Sequence, residues 1–477
     1  MTAQYKTPGI YVEENNNFGS SIVQNETAIP IFIGFTEYGK QANGDDLNVV
    51  KGSTIVREPV LISSMLEYNQ AFGGADVTGT IEITTKEDTV GGTYTSECKK
   101  NDASYVPGYM QPSVYSFFSN GGGSCFVISL GAYDDFNLIE MPKTISDEMP
   151  SIERAIELSE RATLILPTDL IRFGAENYYP WGGHFANLSG SGKKKYFTIL
   201  DVIPKDETSD TYDSEDIENY RSSVTTTSPA FAAAYFPYLK SLTIYSFKED
   251  LSNVYLNGQQ MSTTPTDNVT LMTIQEVKSY LSRNYINMPP SPYMAGIYSQ
   301  LDNNSGVWTP PANVSPVGVA GPMVSINNHE QENMNVDPMG GKSVNAIRSF
   351  AGRGTLVWGA RTNDGNSMDW RYINVRRLFN SMENDISTAL EAFVFKPNVH
   401  NTWVEVKTMI ESYLFGLYNS GAFAGTSPES CYQVQIGLGE TMTDEDILDG
   451  YMRVSILVAP VRPAEFIVLT FSQMIGQ

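Results

Sequence analysis

Short apolar runs in the middle of the chain have the length and composition of buried strands. They are residues 124–130 (SCFVISL), which follow a Gly-Gly-Gly turn, residues 162–167 (ATLILP) and residues 196–203 (YFTILDVI). Between the first two, residues 151–161 (SIERAIELSER) have the apolar spacing of a helix. A strand–helix–strand order favours parallel pairing through a right-handed crossover. The pattern therefore predicts α/β structure in this part of the chain.

The last third of the chain predicts two long helices. The first carries an unbroken apolar stripe at Tyr372, Val375, Phe379, Met382, Ile386, Ala389 and Phe393, enough for about six turns. Lys396-Pro397 is expected to end it, since a residue before proline avoids helical angles. The second repeats the pattern at Trp403, Val406, Ile410, Tyr413 and Leu417, and Gly421 is the expected stop.

Further strand-like runs surround these helices, and polar segments interrupt the middle of the chain. The strand-like runs are residues 354–361, 432–438, 451–461 and the terminal 464–471. The polar segments, residues 78–112, 204–228 and 259–270, are predicted as insertions or long loops. A length of 477 residues fits about three domains.

The charge is unevenly distributed. The chain has a formal net charge of −23, with 54 acidic against 31 basic residues. Residues 341–477 hold 14 acidic and 11 basic residues, which leaves 40 and 20 in residues 1–340. This balance argues against nucleic acid as a main ligand, because phosphate binding needs clustered Lys and Arg. We expect an acidic, solvent-facing part beside a near-neutral, well-packed part.

No group of residues has the spacing of a catalytic or metal site. His184, His329 and His400 are far apart in polar segments, and solvated or capping roles are expected. Gly341-Lys342-Ser343 ends like a phosphate loop, but Val336 stands where that loop needs glycine. Cys125 opens an apolar strand and is expected to be a small buried hydrophobe. The sequence therefore predicts no enzyme, no cofactor and no metal.

Membrane insertion and a secretion signal are not expected either. No run of about 18 apolar residues is present. The first residues, MTAQYKTPG, lack the basic start and apolar core of a signal peptide. The three cysteines are scattered and odd in number, which fits a chain that folds in a reducing cytoplasm.

Arg371, Arg376 and Arg377 form the densest basic feature of the chain. Two interpretations stay open. The first places them on the wet side of the first long helix, as helix amphipathicity favours. The second makes them a docking contact for an acidic neighbour.

The two ends of the chain differ from the rest. Residues 5–14 (YKTPGIYVEE) are extended, contain proline and are too short to fold alone. Residues 466–471 (FIVLTF) are apolar at every position but one, so a strand formed there must be covered on both faces. Such a strand is either part of its own core or offered to the sheet edge of another subunit.

These segments resemble the contractile tail sheath family, which is shared by phage tails, R-type pyocins and phage-tail-like injection systems. The strongest matches are VNAIRSFAGRGTLVWGART at residues 344–362 and WRYINVRRLF at residues 370–379. Others are YKTPGIYVEE, FKPN at 395–398, YNSGAFAG at 418–425, DEDILDG at 444–450 and VAPVRPAEFIVL at 458–469.

The resemblance implies a structural function. Sheath subunits stack as six-membered rings around an inner tube, and contraction drives the tube through a target envelope. The implied partners are other copies of the chain, the inner tube protein, and baseplate and terminal cap proteins. We expect assembly in the bacterial cytoplasm and release by lysis. Within the family we favour an injection system, and a true phage tail sheath is the alternative. A non-contractile structural protein or an unrecognised α/β enzyme is the second alternative.

The resemblance also implies a fold and a set of contact residues. We expect an α+β or α/β multidomain chain with a C-terminal sheath domain, built from a mixed sheet and two long helices, and an inserted outer α/β domain. The expected boundaries are an N-terminal arm at 1–20, an inner domain at 21–60 and 341–461, an outer domain at 61–340 and a C-terminal arm at 462–477. The arms would exchange strands between subunits through Tyr5, Pro8, Ile10, Val12, Phe466, Ile467, Val468, Leu469 and Phe471. The candidate inner-tube contacts on the second long helix are Glu405, Lys407 and Glu411.

Overall fold

A computed structural model gives the fold. It describes residues 22–38, 48–51, 54–86, 93–99, 108–192, 195–206, 209–244, 246–261, 274–275, 277–279, 281–283 and 285–466. The strands are β1 (Pro30–Thr36), β2 (Asn48–Lys51), β3 (Thr54–Arg57), β4 (Val60–Ile62), β5 (Thr80–Lys86), β6 (Thr93–Lys99), β7 (Cys125–Ala132), β8 (Leu164–Leu166), β9 (Phe197–Asp201), β10 (Ala232–Phe236), β11 (Leu239–Ile244), β12 (Val254–Leu256), β13 (Gln259–Gln260), β14 (Tyr285–Met288), β15 (Val319–Pro322), β16 (Val344–Phe350), β17 (Gly354–Val357), β18 (Tyr432–Gln435) and β19 (Ser455–Val458).

The α-helices of the described ranges follow in the same way. They are α1 (Met65–Phe72), α2 (Met110–Ser119), α3 (Met141–Asp147), α4 (Met149–Leu158), α5 (Ala175–Gly190), α6 (Ser214–Ser223), α7 (Ser291–Ser305), α8 (Asn328–Asn335), α9 (Ile373–Leu390), α10 (His400–Asn419), α11 (Pro428–Cys431) and α12 (Asp444–Leu448). The described residues divide into two compact units. The large unit holds residues 25–384 and 461–466, and the small unit holds residues 22–24 and 385–460.

A mixed eight-stranded sheet organises the large unit. Its strand order is β17-β16-β10-β9-β8-β1-β7-β4. The six inner strands pair in parallel, and β17 and β4 close the two edges in antiparallel pairing. Every residue of β1, β8, β9 and β10 is buried. Parallel strands that are buried on both faces have apolar residues at nearly every position, which explains the short apolar segments of the sequence.

Helices α2 and α7 lie in close contact beside this sheet. A side chain at Gly296 of α7 would come within 2.6 Å of the Phe117 carbonyl oxygen and of the Asn120 Cβ. Glycine is therefore required where the two helices approach. The Phe117 ring packs edge-on against Phe32 of β1, with ring centroids 5.7 Å apart. The helix pair is thus joined to the centre of the sheet.

The predicted mixed α/β architecture with a large mixed sheet is confirmed, and the strand predictions at 124–130, 162–167 and 196–203 correspond to β7, β8 and β9. The sheet runs across the expected domain limits, because β1 precedes residue 61 and β16 and β17 follow residue 340. The assignment of an inner and an outer domain within an assembly stays a prediction.

Two of the polar segments are not loops. Residues 78–112 contain β5 and β6, which join β12 and β13 in a four-stranded sheet. Ile81 and Ile83 of β5 pack there with Leu251 and Val254 in a separate small core. Residues 204–228 contain α6, whose Asp213 side chain accepts a hydrogen bond from the Glu215 N–H and caps the helix start. The interpretation as long loops was wrong for the described parts of both segments, because a few apolar residues suffice to anchor each one. The interpretation as insertions stays a prediction.

The two long helices of the last third are present, with different ends. Helix α9 covers 18 residues, and a short 3-10 turn at Glu391–Phe393 follows it, so the helix stops before Lys396-Pro397. Within its predicted stripe Phe379 is only half-buried, whereas Val375, Met382, Ile386 and Phe393 are buried. On α10 all five predicted stripe residues are buried. Gly421 has a φ of +89°, which fits its predicted role as the stop.

We predict that the large unit depends on α6. Tyr220 is fully buried, and its hydroxyl accepts a hydrogen bond of 2.6 Å from the Asn363 side chain. Tyr220→Ala should lower the free energy of unfolding by about 3–5 kcal/mol, because it leaves a cavity in the core. Glu218→Ala, on the exposed side of the same helix, is the matched control and should change it by less than about 0.5 kcal/mol. Denaturant unfolding measures both, and equal stability of the two variants would contradict the buried role of α6.

Candidate functional site: the roots of the two chain ends

The carboxyl edge of the parallel strands is the place where an α/β enzyme would hold its ligand. Asp169, just after β8, and Asp201, at the end of β9, lie at this edge and are fully buried. Asp169 accepts hydrogen bonds from the Phe35 N–H at 2.8 Å and the Tyr109 N–H at 2.7 Å. Its carboxylate lies 3.8 Å from the buried Arg172 guanidinium, which also pairs with Asp76 at 3.0 Å. Asp169 therefore joins three segments of the fold and is closed to a ligand.

Asp201 has a similar structural role. Its carboxylate accepts a 2.7 Å hydrogen bond from the Ser291 N–H and a 2.5 Å hydrogen bond from the Ser291 hydroxyl, at the start of α7. The Ser291 hydroxyl also lies 3.1 Å from the Thr168 hydroxyl. Burial raises the pKa of Asp201 to about 7, against the lowering effect of the Ser291 hydrogen bonds. This carboxyl fixes the helix start and, like Asp169, offers no open face.

The other candidate chemistry of the sequence is also dispersed. His184 pairs with Glu153, and His329 lies beside Glu332 at 3.6 Å on an exposed helix. Lys342 donates to the Arg221 and Val224 carbonyl oxygens instead of facing a phosphate pocket. In the part of the chain that the structure describes, no three His, Cys, Asp or Glu side chains lie together as metal ligands.

Cys125 is a buried core residue, as the sequence predicts, and burial raises the pKa of its thiol well above the ordinary value. None of the described helices combines the length and apolar character needed to cross a bilayer.

Arg376 and Arg377 are not on a wet helix face, so that interpretation was wrong. Both are only 4% exposed. The Arg376 guanidinium donates to Asn380 at 2.7 Å and Glu383 at 2.9 Å, and it lies 4.3 Å from the centre of the Trp370 ring. The acidic neighbour that the second interpretation requires is present for Arg377, but it belongs to the same chain. A buried arginine needs such partners, because an unpaired buried charge is strongly destabilising.

Arg377 holds the N-terminal root, which we define as residues 26–29. Its guanidinium donates to the Thr27 carbonyl oxygen at 2.9 Å and pairs with Asp302 of α7 at 2.5 Å. Asp302 in turn accepts a 2.5 Å hydrogen bond from the Thr27 hydroxyl. These three residues form a closed triangle through the Thr27 carbonyl and hydroxyl groups, so the chain is fixed at Thr27, just before it enters β1.

Arg361 holds the C-terminal root, which we define as residues 461–466. Its guanidinium donates two hydrogen bonds to the Glu465 carboxylate, at 2.9 and 2.5 Å, in a fork-like pair. The Tyr372 hydroxyl also reaches this carboxylate at 3.4 Å. The Asn374 side chain donates to the Val461 carbonyl oxygen at 3.0 Å. The root is therefore fixed at both of its ends.

Beyond Glu465 the chain leaves this support, since the Phe466 side chain is 75% exposed. The other residues predicted as arm contacts lie outside the described residues: Tyr5, Pro8, Ile10, Val12, Ile467, Val468, Leu469 and Phe471. Their pairing stays a prediction. The structure gives the positions of the two roots, from which the predicted arms would start.

The small unit contains a candidate acceptor for a strand. Within the described residues β18 and β19 form a sheet of two antiparallel strands, so each strand has one edge without a paired strand. In antiparallel pairing every second residue directs its N–H and C=O away from its partner strand. A groove of about 760 Å³ borders β18 and is lined by Tyr432–Gln435, Lys407, Glu411, Pro428, Glu429 and Glu440.

The predicted inner-tube contacts lie on α10. Glu405 pairs with Lys396 at 3.2 Å, and Lys407 lies 4.0 Å from Glu411. All of these side chains are partly exposed, so the pairs contribute little to stability. Lys407 and Glu411 share the groove beside β18, which the sequence did not reveal. Their contact with an inner tube stays a prediction.

Sequence reasoning missed the two arginine pairs that hold the roots. Arg361 is brought to the start of α9 by backbone hydrogen bonds from Ile373 to Ala360 and from Thr362 to Arg371. Its partner Glu465 is 104 residues away, and Arg377 and Asp302 are 75 residues apart. The aromatic contact of Arg377 gives no local signal either, because the ring that lies 4.6 Å from its guanidinium belongs to Tyr298 on α7.

Known proteins resemble the chain in sequence and in structure. Residues 366–473 match the family described as the phage tail sheath C-terminal domain. A tail sheath protein of Vibrio phage KVP40 is 27% identical over 179 residues, which are 37% of this chain and 25% of that protein. The matched segment therefore spans a quarter of that relative's length.

Solved structures match nearly the whole chain. A subunit of the PVC sheath complex, from an extracellular contractile injection system in the contracted state, is 28% identical, with a TM-score of 0.63 over 99% of each chain. A chain of the six-fold symmetrised baseplate of the anti-feeding prophage (AFP) is 28% identical, with a TM-score of 0.62 over 99% of this chain and all of that one.

We predict a pH-dependent stability difference from Asp201. A carboxyl whose folded pKa exceeds its unfolded value makes the folded state less stable as the pH rises between the two values. For Asp201 this window runs from about pH 4 to about pH 7. Asp201→Asn removes the titration, and its amide can donate to Ser291, which can donate to Thr168. The stability of the variant relative to the native subunit should therefore rise across this window by up to ~1.4 kcal/mol per pH unit. Unfolding in denaturant at pH 5, 6 and 7 measures it, and parallel pH profiles would contradict it.

Proposed function

We propose that this chain, which belongs to the contractile tail sheath family, is the sheath subunit of a contractile injection system. The family is structural and not enzymatic. In this proposal, subunits stack as six-membered rings around an inner tube, and the shortening of the sheath drives the tube through a target envelope. The observation that carries the proposal is the near full-length likeness to the sheath of an extracellular contractile injection system.

The kind of particle follows from the extent of the match. The likeness to the injection-system structures covers almost the whole chain, whereas the phage relative shares 37% of it. This favours a phage-tail-like particle. We propose that it is assembled in the bacterial cytoplasm and released by lysis. A true phage tail sheath is the second candidate, supported by the family match at residues 366–473. Capsid and terminase genes beside this gene would decide for the phage.

Strand exchange between subunits is the proposed connection. A terminal strand that is apolar on both faces needs cover on both sides, and residues 466–471 have that pattern. The edge of β18, with its adjoining groove, offers backbone partners and room for side chains. We propose that an arm of one subunit pairs with this edge in another. The root at Glu465 then marks the last point at which the arm belongs to its own subunit.

The energy of one exchanged arm is sufficient for this purpose. Each backbone hydrogen bond contributes about 0.5–1.5 kcal/mol net, and each buried apolar side chain about 1.5–3 kcal/mol. One arm therefore gains on the order of 10 kcal/mol before ordering costs. Such a connection holds neighbours together while they rotate relative to each other.

The proposed partners are other copies of the chain, the baseplate, the inner tube protein and a terminal cap. Likeness to a chain of a six-fold symmetrised baseplate structure supports the first two. Nucleic acid is not among the proposed partners, because a chain with a net charge of −23 is repelled by phosphate groups. Tube and cap contacts rest on the family resemblance.

We predict that the arms are required for polymerisation. Val468→Pro removes a backbone donor from the exchanged strand, and proline is not tolerated in a central strand. This variant, or removal of residues 1–14, should give folded soluble subunits that form no sheath. Electron microscopy of purified protein measures it, with long striated cylinders expected for the native chain.

Ser472→Ala, beyond the apolar segment, is the control and should assemble normally. If the Val468→Pro subunits still polymerise and contract, strand exchange through residues 466–471 does not connect the sheath. If the native protein forms cylinders that never shorten, a non-contractile structural function replaces the proposed one.

We predict a contact between the exposed face of α10 and the inner tube. Reversal of charge at Glu405, Lys407 and Glu411 together should weaken tube attachment, because it inverts the local charge pattern. Reversal at Asp444 and Glu445, in the exposed first turn of α12, is the matched control in the same unit. Co-sedimentation of sheath with tube measures both. Attachment that is unchanged in both variants would remove α10 from the tube interface.

A further inference from the structure

The beginning of α9 reaches both roots. Arg377 donates to the Thr27 carbonyl oxygen of the N-terminal root at 2.9 Å. Three residues earlier, Asn374 donates to the Val461 carbonyl oxygen of the C-terminal root at 3.0 Å. Consecutive turns of one helix thus hold both chain ends within the large unit.

We propose that Asn374 and Arg377, together with Arg361, form a junction that holds the starting points of both arms at a fixed spacing while subunits rotate. This inference rests on the proposed function, in which each arm is bound to a neighbour. If the two arms are pulled in different directions, the forces on both arms act on this junction. The residues would act by positioning the arms and would make no contact with a neighbour themselves.

The chemistry of the junction suits this role. Arg361 is 3% exposed and Arg377 4% exposed, so water competes little for their hydrogen bonds. The Arg361–Glu465 pair is fork-like, which fixes an orientation as well as a distance. Apolar contacts are non-directional and could slide under tension. The paired carboxylates, Glu465 at the root and Asp302 on α7, neutralise both guanidinium groups.

Hydrogen bonds of the backbone and of Asn374 also join the two sides of the junction. Residues 360–362 pair with residues 371–373 through the backbone, which attaches Arg361 to the start of α9. Asn374 donates to the Trp308 carbonyl oxygen at 2.8 Å, shortly after the end of α7, and Asp302 belongs to α7 itself. Helix α7 therefore supports the junction from the N-terminal side. A shift of one root relative to the other would require several of these contacts to break together.

The test uses lysine substitutions, which keep the charge but cannot form the fork. Arg361→Lys and Arg377→Lys are the junction variants. Arg376→Lys is the matched control, because Arg376 is equally buried and its hydrogen-bond partners in the described chain, Asn380 and Glu383, lie outside both roots. Each variant is introduced into the whole particle. The melting temperature of the subunit and the fraction of sheaths that contract over their full length are measured.

The junction variants should melt within a few degrees of the control. The ratio of fully contracted, unbroken sheaths to all other sheaths should fall at least about tenfold below that of the control, because an equilibrium constant changes by about this factor when one charge-assisted hydrogen bond is lost. Equal contraction of all three variants would overturn the junction. Absence of cylinders in the native protein would instead overturn the proposed function.

A second measurement covers the case in which the junction variants do not fold. Cryo-electron microscopy of native sheath before and after contraction gives the positions of both roots directly. The junction predicts that the Arg361–Glu465 and Arg377–Thr27 contacts stay within hydrogen-bond distance in both states. Loss of either contact in the contracted state would overturn it.

Discussion

A buried guanidinium must be paired, and two such groups, Arg361 and Arg377, bind the two ends of the chain. Arg361 and Arg377 lie inside the large unit, where an unpaired charge would cost several kcal/mol. Their acceptors come from the C-terminal root and from the N-terminal root with its neighbour Asp302. Detachment of the C-terminal root would leave the Arg361 charge buried without its carboxylate partner. Detachment of the N-terminal root would remove a hydrogen-bond acceptor from Arg377, which would keep its pair with Asp302. Everything that an arm does beyond Phe466 or before Glu26 starts from these fixed positions.

The fold supplies the rigid body that such a fixation needs. Six parallel strands with buried residues on both faces make the centre of the sheet resistant to deformation. Carboxyl groups at the ends of β8 and β9, which would be catalytic candidates in an enzyme of this architecture, are used instead to join segments of the core. Among the residues that the structure describes, the small unit contributes a sheet of two strands, whose edges are suited to receive more. Rigid interior, fixed ends and unpaired edges together are what a polymerising subunit requires.

The sequence predicted the elements whose signal is local. Apolar runs gave β7, β8 and β9, and the repeated spacing of Trp403, Val406, Ile410, Tyr413 and Leu417 gave α10. Helix α6 was missed because its sequence, SEDIENYRSS, carries few apolar residues, and only Ile217 and Tyr220, three apart, mark its buried face. The buried arginines were misplaced because periodicity assigns charged residues to solvent. The partners of the two root-binding arginines, Asp302 for Arg377 and Glu465 for Arg361, are 75 and 104 residues away, a distance that no local pattern can show.

The central claim is that the ends of one subunit complete the sheet of another. A cryo-electron microscopy map of the native assembly at side-chain resolution tests it most directly, because it traces residues 467–471 onward from Phe466. We predict that this segment pairs as a strand with the edge of β18–β19 in a different subunit. A trace in which the segment folds back into the core of its own subunit would contradict the account.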